Sequence, residues 1–321
     1  MRIITPEDIR DLYLKIAQRG HRFILSKFSF YGKHRTKSSF NDSIIDGSNC
    51  WNIPMVKERW NYLITGDKNM DYETYVSDKY SRSKPIRFLS IGSGICSHEL
   101  KFARLNPGWK ITCIDFSEKL LQKASIIAEE EDLNNIHFVA EDIYEYDLPE
   151  EYYDIILFHS SLHHFKNIDE FINRIHKSLR KSGCLIINEY VGPNRLQYPK
   201  WQRKEINKCL SLIDKPYKKL YKTNLYKNRY YGSGILRMIL ADPSECIESE
   251  QILPVVRKKF KVLEEKGYGG NLLMLGLKDI SHHFIELNNR KRQTMERIFK
   301  YEDEFLVHNQ SDLVFGIYEK V

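Results

Sequence analysis

The sequence predicts an α/β fold built on a doubly wound, mostly parallel sheet, and three observations carry that prediction. Short apolar or β-branched runs alternate with amphipathic helical stretches between residues 86 and 192. A glycine-containing turn, Gly92-Ser93-Gly94, joins the first of these runs to a helix start. A chain of 321 residues with 42% hydrophobic content can bury one large core and still carry additional elements.

Taken in order, Thr5 before Pro6, with Asp8 following, reads as a helix start, and Ile9, Leu12, Leu14, Ile16 and Ala17 continue a helical stripe to about Arg19. Eight Lys/Arg against one acid, Asp11, fall between Arg10 and Lys37, with Phe23, Phe28, Phe30 and Tyr31 among them. Further helices are expected from Pro54 to Thr65, stopped by Gly66, and from Asp71 to about Tyr80. The strand-like runs are Ile86 to Ile91, Lys110 to Asp115, Ile136 to Ala140, Asp154 to His159 and Cys184 to Glu189. Helical stretches separate them at Ser97 to Leu105, Ser117 to Glu131 and Ile168 to Arg180, which is the pattern of repeated βαβ units.

After Glu189 the alternation stops. Tyr198 to Tyr231 reads as helix-like, with ten Lys/Arg against Glu205 and Asp214 and six tyrosines, so this segment alone carries +8. Strand-like runs return at Phe260 to Glu264 and Leu313 to Tyr318, around a helix with Met295, Ile298, Phe299, Phe305 and Leu306 in its stripe. The expected divisions are residues 1–82 as a helical N-terminal arm, 83–192 with 254–321 as the core, and 193–253 as a basic helical lid insertion.

Six cysteines without a CxxC pair argue against a zinc cage or disulfide scaffold. No apolar run approaches membrane-spanning length, which leads to the expectation of a cytoplasmic protein without a membrane span. The formal charge of +7 is modest, but its concentration in two segments suggests an anionic partner.

The turn from Ile86 to Glu99 needs its glycines so that the backbone can reverse and a ligand can approach without a Cβ in the way. Asp115 follows Gly94 by 21 residues at the end of the next strand, where a carboxylate can accept from both hydroxyls of a ribose. A tight turn in any α/β protein is the plainer alternative. Ser97 stands where a dinucleotide-binding GxGxxG turn has its third glycine, which favours a methyl donor over NAD.

With Glu141-Asp142-Ile143 after the third strand and the terminal strand, helix, strand order, the chain resembles the class I S-adenosylmethionine-dependent methyltransferases of the small-molecule group. The resemblance covers Pro85 to Gly192 and, less closely, Pro254 to Val321. It implies a seven-stranded sheet of the Rossmann-like methyltransferase type whose last strand is antiparallel, with S-adenosyl-L-methionine as cofactor across the carboxyl ends of the strands. It also implies that Gly92, Ser93 and Gly94 face the methionine part, Asp115 the ribose, Phe116 the adenine face, and Asp142 with Ile143 the adenine edge. Two positions depart from the family pattern: Ser90 replaces the acid two residues before the first glycine, and Cys96 replaces the third glycine.

The fourth strand leads into His159-Ser-Ser-Leu-His163-His164-Phe165, and the fifth ends in Asn188-Glu189-Tyr190. Both stretches fall at strand carboxyl ends, where ligands bind in open α/β sheets. Methyl transfer is an in-line displacement that depends on positioning, and a hydroxyl acceptor also benefits from a base. The Ser-Leu-His-His stretch and the acid after strand five resemble those of sugar and natural-product O-methyltransferases, which implies His163 as base and Glu189 as its partner, with His164 as a further neighbour. His159 is assigned to the cofactor site. An alternative keeps one histidine as packing under the loop and Glu189 as a cap.

His159 and His163 share an HxxxH spacing, but residue 160 is Ser and not the Glu of HExxH, so no metal is expected. His282-His283 is read as structural. The acceptor candidates are Tyr190, Asn194, Arg195 and Trp201, joined by Tyr268 in the turn Glu265 to Asn271.

The expected activity is O-methylation of a sugar, glycan or secondary metabolite, with an anionic acceptor suggested by the basic insertion. N-methylation of a peptide or protein side chain, an RNA methyltransferase or RNA-binding protein, and a non-catalytic member of the fold are the alternatives. An Asn/Asp-Pro-Pro-aromatic motif of amino-group methyltransferases is absent from the sequence. A homodimer is compatible with the sequence.

Overall fold

The computed structural model describes residues 2–19, 49–80 and 85–321. The basic aromatic stretch from Phe23 to Lys37 lies outside the described residues. The chain divides into two compact units. One contains Asn61–Val191, Ile247–Lys266 and Val314–Val321; the other contains Met1–Trp60, Gly192–Cys246 and Gly267–Leu313.

The seven strands are β1 (Arg87–Ile91), β2 (Lys110–Asp115), β3 (Ile136–Ala140), β4 (Tyr153–His159), β5 (Leu179–Tyr190), β6 (Lys261–Gly269) and β7 (Leu313–Glu319). They lie in the order β3-β2-β1-β4-β5-β7-β6. The helices are α1 (Pro6–Arg19), α2 (Pro54–Thr65), α3 (Tyr72–Tyr80), α4 (Ser97–Leu105), α5 (Glu118–Glu130), α6 (Ile168–Ser178), α7 (Lys200–Ser211), α8 (Ile235–Ala241), α9 (Ile252–Lys259), α10 (Leu273–Leu277) and α11 (Asn289–Leu306).

In the first unit β1 pairs in parallel with β2 and β4, β2 with β3, and β4 with β5. The order therefore reverses between β1 and β4, the kind of switch point at which open α/β sheets bind ligands. At the start of β5, Ser182 N donates to Lys320 O at 3.2 Å and Lys320 N to Gly183 O at 2.8 Å. The beginning of β5 thus meets the end of β7, so β7 runs antiparallel.

Consecutive residues Ile155, Ile156, Leu157 and Phe158 of β4, and Leu185, Ile186 and Ile187 of β5, are all buried. Because neighbours on a strand point to opposite faces, both faces of the sheet are covered. The covering face of α6 is Ile168, Phe171, Ile172 and Ile175, a helical stripe with every member buried. Its open N-terminal amides are capped by Glu248, which accepts from Asn167 N at 3.1 Å and Ile168 N at 3.0 Å.

Three boundaries differ from the sequence reading. The helix expected to reach Arg180 ends at Ser178, and β5 begins at Leu179, because the Arg-Lys-Ser-Gly run continues the chain as strand. Of Tyr198 to Tyr231, only Lys200–Ser211 is α-helix; a 3-10 turn at Lys215–Lys218, which opens around Pro216, ends the helical pattern. The turn expected over Glu265 to Asn271 is strand as far as Gly269.

The second unit is knitted by buried acids. Asp8 accepts from Thr5 N at 2.7 Å, Gly234 N at 2.9 Å and Arg237 Nε at 2.9 Å. Glu302 accepts from Leu272 N and Leu273 N at 3.0 and 3.1 Å, capping the start of α10. Asp11 pairs with Lys278 at 2.9 Å and Arg237 at 3.1 Å. Burial opposes ionisation of Asp11, yet the Lys278 and Arg237 charges hold its carboxyl below the ordinary range.

Folding therefore favours the ionised form of Asp11. This contribution is present above about pH 4 and is lost as the pH falls below it. Asp11→Asn is expected to cost about 3 kcal/mol at neutral pH and to flatten the acid limb of the stability profile. Urea melts across the pH range check this. An acid limb as steep as that of the wild type would assign the sensitivity to other carboxylates.

Candidate active site

The carboxyl ends of β1, β2, β4 and β5 face one edge of the first unit because these strands run parallel. After β1 the chain turns sharply: Gly92 N donates to Ile114 O at 2.8 Å and Cys96 N to Ser93 O at 2.9 Å. Gly92 has φ +71°, and a Cβ there would stand 2.7 Å from the Cβ of Ser161. Gly94 has φ +56° with nothing within 4 Å of the place a Cβ would take, so its face of the turn is open. Cys96, where the family pattern has glycine, keeps the left-handed conformation at φ 55°. Holding a side chain there costs on the order of 1 kcal/mol.

Asp115 fastens the turn to the end of β2: its Oδ2 accepts from Gly94 N at 2.9 Å and its Oδ1 from Ser117 N at 2.7 Å. Phe116 follows, half-buried. After β3, Asp142 Oδ1 accepts from Tyr144 N at 3.1 Å, and Ile143 is buried. The structure therefore brings Gly92, Ser93, Gly94 and Asp115 together, with Phe116 next in the chain, while Asp142 and Ile143 shape the loop after β3.

Sequence reasoning missed Glu99. Ser90 Oγ donates to Glu99 Oε1 at 2.6 Å, and Glu99 is almost fully buried. Burial pushes its carboxyl above the ordinary range. Glu99 of α4 thus places a carboxyl beside position 90, against the Ser90 hydroxyl. A signal was available, since Glu99 shares a helical stripe with Phe102 and Ala103 and so puts an acid on the buried face.

His159 ends β4 and packs differently from its neighbours. Its ring stacks on Tyr72 at 5.4 Å and lies 3.7 Å from the ring of His98, whose Nδ1 is 2.5 Å from Glu73 Oε1. Burial and the His98 charge push His159 well below the ordinary range. Burial acts the same way on His98, but Glu73 outweighs it and raises that ring. Of the two rings, His98 is the one that favours a proton.

Glu189, at the end of β5, is fully buried. Its Oε2 accepts from Ser161 N at 2.8 Å and Leu162 N at 2.6 Å; its Oε1 accepts from Tyr190 N at 2.9 Å and pairs with His163 Nδ1. An ionised carboxylate only accepts, so His163 Nδ1 carries its proton toward Glu189 and Nε2 is the basic nitrogen. Ser161 also donates through Oγ to Ile91 O at 2.7 Å, linking this cluster to the glycine turn. The ring of His164 lies 4.2 Å from that of His163, and Tyr190 stands perpendicular to it at 6.2 Å.

The remaining candidates belong to the second unit. Asn194 opens a 3-10 turn, and Arg195 Nη1 donates to Pro243 O at 2.7 Å and Glu245 O at 3.1 Å. Trp201 is half exposed and stacks on Phe305 at 6.0 Å, while buried Tyr268 meets Trp60 edge-on at 5.6 Å. His283 Nε2 lies 2.9 Å from Lys219 O, in keeping with a packing role. Among the described residues, no helix is long and apolar enough to cross a membrane.

A family model described as a methyltransferase domain matches residues 82–267. Malonyl-[acyl-carrier protein] O-methyltransferase of Bacillus cereus is 26% identical over 115 residues, which are 36% of this chain and 41% of that protein. Demethylmenaquinone methyltransferase of Chlamydia felis is 30% identical over 112 residues, 35% of this chain and 47% of that protein. The chain thus spans less than half the length of these curated relatives. Among solved structures, the plantazolicin methyltransferase BpumL in complex with SAH is 17% identical, with 98% of each chain covered and a TM-score of 0.43.

Proposed function

Because this chain belongs to the methyltransferase-domain family, with the class I S-adenosylmethionine-dependent fold, we propose that it transfers a methyl group from S-adenosyl-L-methionine to a hydroxyl of a sugar, glycan or secondary-metabolite acceptor. The observation that carries the hydroxyl reading is the His163–Glu189 pair, a buried imidazole held by a carboxylate at the end of β5.

The residues at the strand ends fit the cofactor. Gly94 leaves space where a Cβ would project, and Ser93 Oγ is buried without a hydrogen-bond partner among the described residues. Asp115 stands at the end of β2, and Glu99 brings a buried carboxylate beside β1. When bound, the cofactor supplies an electrophilic methyl on a sulfonium. In this reading Asp115 holds the ribose, Phe116 and Ile143 flank the adenine with Asp142 at its edge, and the 92–94 turn takes the methionine part.

His163 removes the hydroxyl proton at Nε2, and Glu189 stabilises the imidazolium that results. His164 and Tyr190 line the same place. We assign acceptor choice to Asn194, Arg195, Trp201 and Tyr268, and to the segment 193–253 as a whole. Two curated relatives carry names of methyltransferases, one of them acting on oxygen. That supports an oxygen acceptor. The cytoplasm is the proposed location.

Calorimetric titration with S-adenosylmethionine and S-adenosylhomocysteine, followed by assays on phosphorylated sugars, glycans and phenolic metabolites, tests the proposal. Saturable binding of both, and methyl transfer to a hydroxyl compound, is the expected result; binding of neither overturns it. Positioning and a histidine base require no metal, so activity should survive EDTA unchanged. Loss of turnover on chelation, restored by a divalent cation, would contradict that expectation.

A further inference from the structure

The second unit contains a cavity of about 560 Å³ lined by residues of the segment 193–253. Lys200, Arg203 and Lys204 of α7 line one side, and Arg229, Tyr230 and Tyr231 line the other. Two asparagines complete the lining, and no acid among the described residues contributes to it. Four cations around one hollow repel one another unless an anion joins them.

Two neighbouring acids, Glu7 and Asp8, are already engaged. Glu7 pairs with Arg10 and accepts from Tyr231 N at 3.2 Å, and Asp8 is held by Arg237, Gly234 and Thr5. Arg2 is not part of the lining but stands beside Arg203: a Cβ on Gly232 would stand 2.8 Å from Arg203 Cδ and 2.9 Å from Arg2 Nε, so the two side chains meet there. Arg203 Nε, Arg2 Nε and Arg2 Nη2 are buried without a hydrogen-bond partner among the described residues. Burial and the Arg203 charge press the Arg2 guanidinium below its ordinary range.

The cavity is also braced. Arg203 Nη1 donates to Tyr231 O at 2.9 Å, and Asn207 ties α7 to residue 230 through Nδ2 to Tyr230 O and Oδ1 from Tyr230 N, at 2.9 and 2.8 Å. The Arg229 guanidinium stacks over the Tyr231 ring at 5.6 Å. A solvated basic helix face needs no such bracing, and it does not leave guanidinium donors buried and unused.

We infer that this cavity is a binding site for a phosphate ester or diphosphate, the chemistry that a fork of guanidinium donors flanked by lysines recognises best. The inference deepens the methyl-transfer reading by giving an anionic ligand a defined place. Its test reads binding without turnover, so the two can fail separately.

The experiment titrates pyrophosphate into the full chain by calorimetry at low and moderate salt, with ADP and glucose 1-phosphate as further arms that separate a nucleotide source from a sugar phosphate. Saturable one-site binding that weakens with salt is expected. Arg203→Gln should weaken it at least about tenfold. The exposed Lys204→Ala, which leaves the bracing bonds intact, should weaken it about threefold. No saturable binding of any of the three probes, or binding unchanged in both variants, overturns the proposal. Binding of a single-stranded oligonucleotide without any binding of pyrophosphate also overturns it, in favour of a nucleic-acid face.

Discussion

Replacing His163 by alanine is expected to lower kcat by about 100-fold or more, the range of a positioned general base, while leaving affinity for S-adenosylmethionine close to that of the wild type. His163 hangs from Glu189, whereas the glycine turn is tied through Ser161 Oγ to Ile91 O, so removing the imidazole takes away the base and leaves that tether in place. Glu189→Gln is expected to lose turnover to a similar degree and to weaken the cofactor as well. The reason is structural: Glu189 also holds Ser161 N, and Ser161 holds Ile91 O at the edge of the turn. An amide at position 189 turns one acceptor into a donor facing N–H groups, which leaves buried donors unsatisfied at about 1–3 kcal/mol.

The double variant should be little worse than either single one, because the pair acts as a unit. Near-normal turnover in both single variants would remove the base and leave positioning as the whole of the chemistry.

Gly92→Ala is the second change with a large expected effect. The new Cβ would stand 2.7 Å from Ser161 Cβ, a backbone-anchored neighbour that cannot swing aside, in a left-handed conformation at φ +71°. Either the turn or the Ser161 loop must shift, and both carry the cofactor reading. Affinity for S-adenosylhomocysteine should fall at least about tenfold, with a strain cost of order 1–3 kcal/mol. Gly94→Ala makes the informative contrast, since its Cβ would enter open space. A large loss of cofactor in that variant, with little loss of thermal stability, would locate the ligand against that face. Equal and small effects in both would place the cofactor elsewhere.

The core of the fold was legible because its signals are local. The boundaries of β2, β3, α2 and α4 coincide with the apolar runs that announce them, and the Gly92-Ser93-Gly94 turn shows its chemistry in three residues. The start of β5 was not legible, since Arg180-Lys181-Ser182-Gly183 has the composition of a turn and is held as strand by pairing with Lys320. The helix expected to Tyr231 was overextended because lysines and tyrosines have moderate helical preference and say nothing about where tertiary packing ends a helix.

At the site, Glu189 and His163 were readable as a pair because both fall at strand carboxyl ends and the Ser-Leu-His-His stretch with the acid after strand five resembles those of sugar and natural-product O-methyltransferases. Glu99 was passed over although its place on the buried stripe of α4 marked it, because nothing in the local pattern ties it to Ser90, nine positions away. The buried acids of the second unit were also illegible, since Asp11, Lys278 and Arg237 meet across more than two hundred residues of sequence.

The most direct test of the central claim supplies S-adenosylmethionine with an isotopically labelled methyl group, together with the purified chain, to extracts of the source cells and follows the label by mass spectrometry. The account predicts one product class carrying the label on oxygen, formed with matching S-adenosylhomocysteine and lost with His163→Ala. S-adenosylmethionine left intact beside a chain that does not bind it would contradict the account.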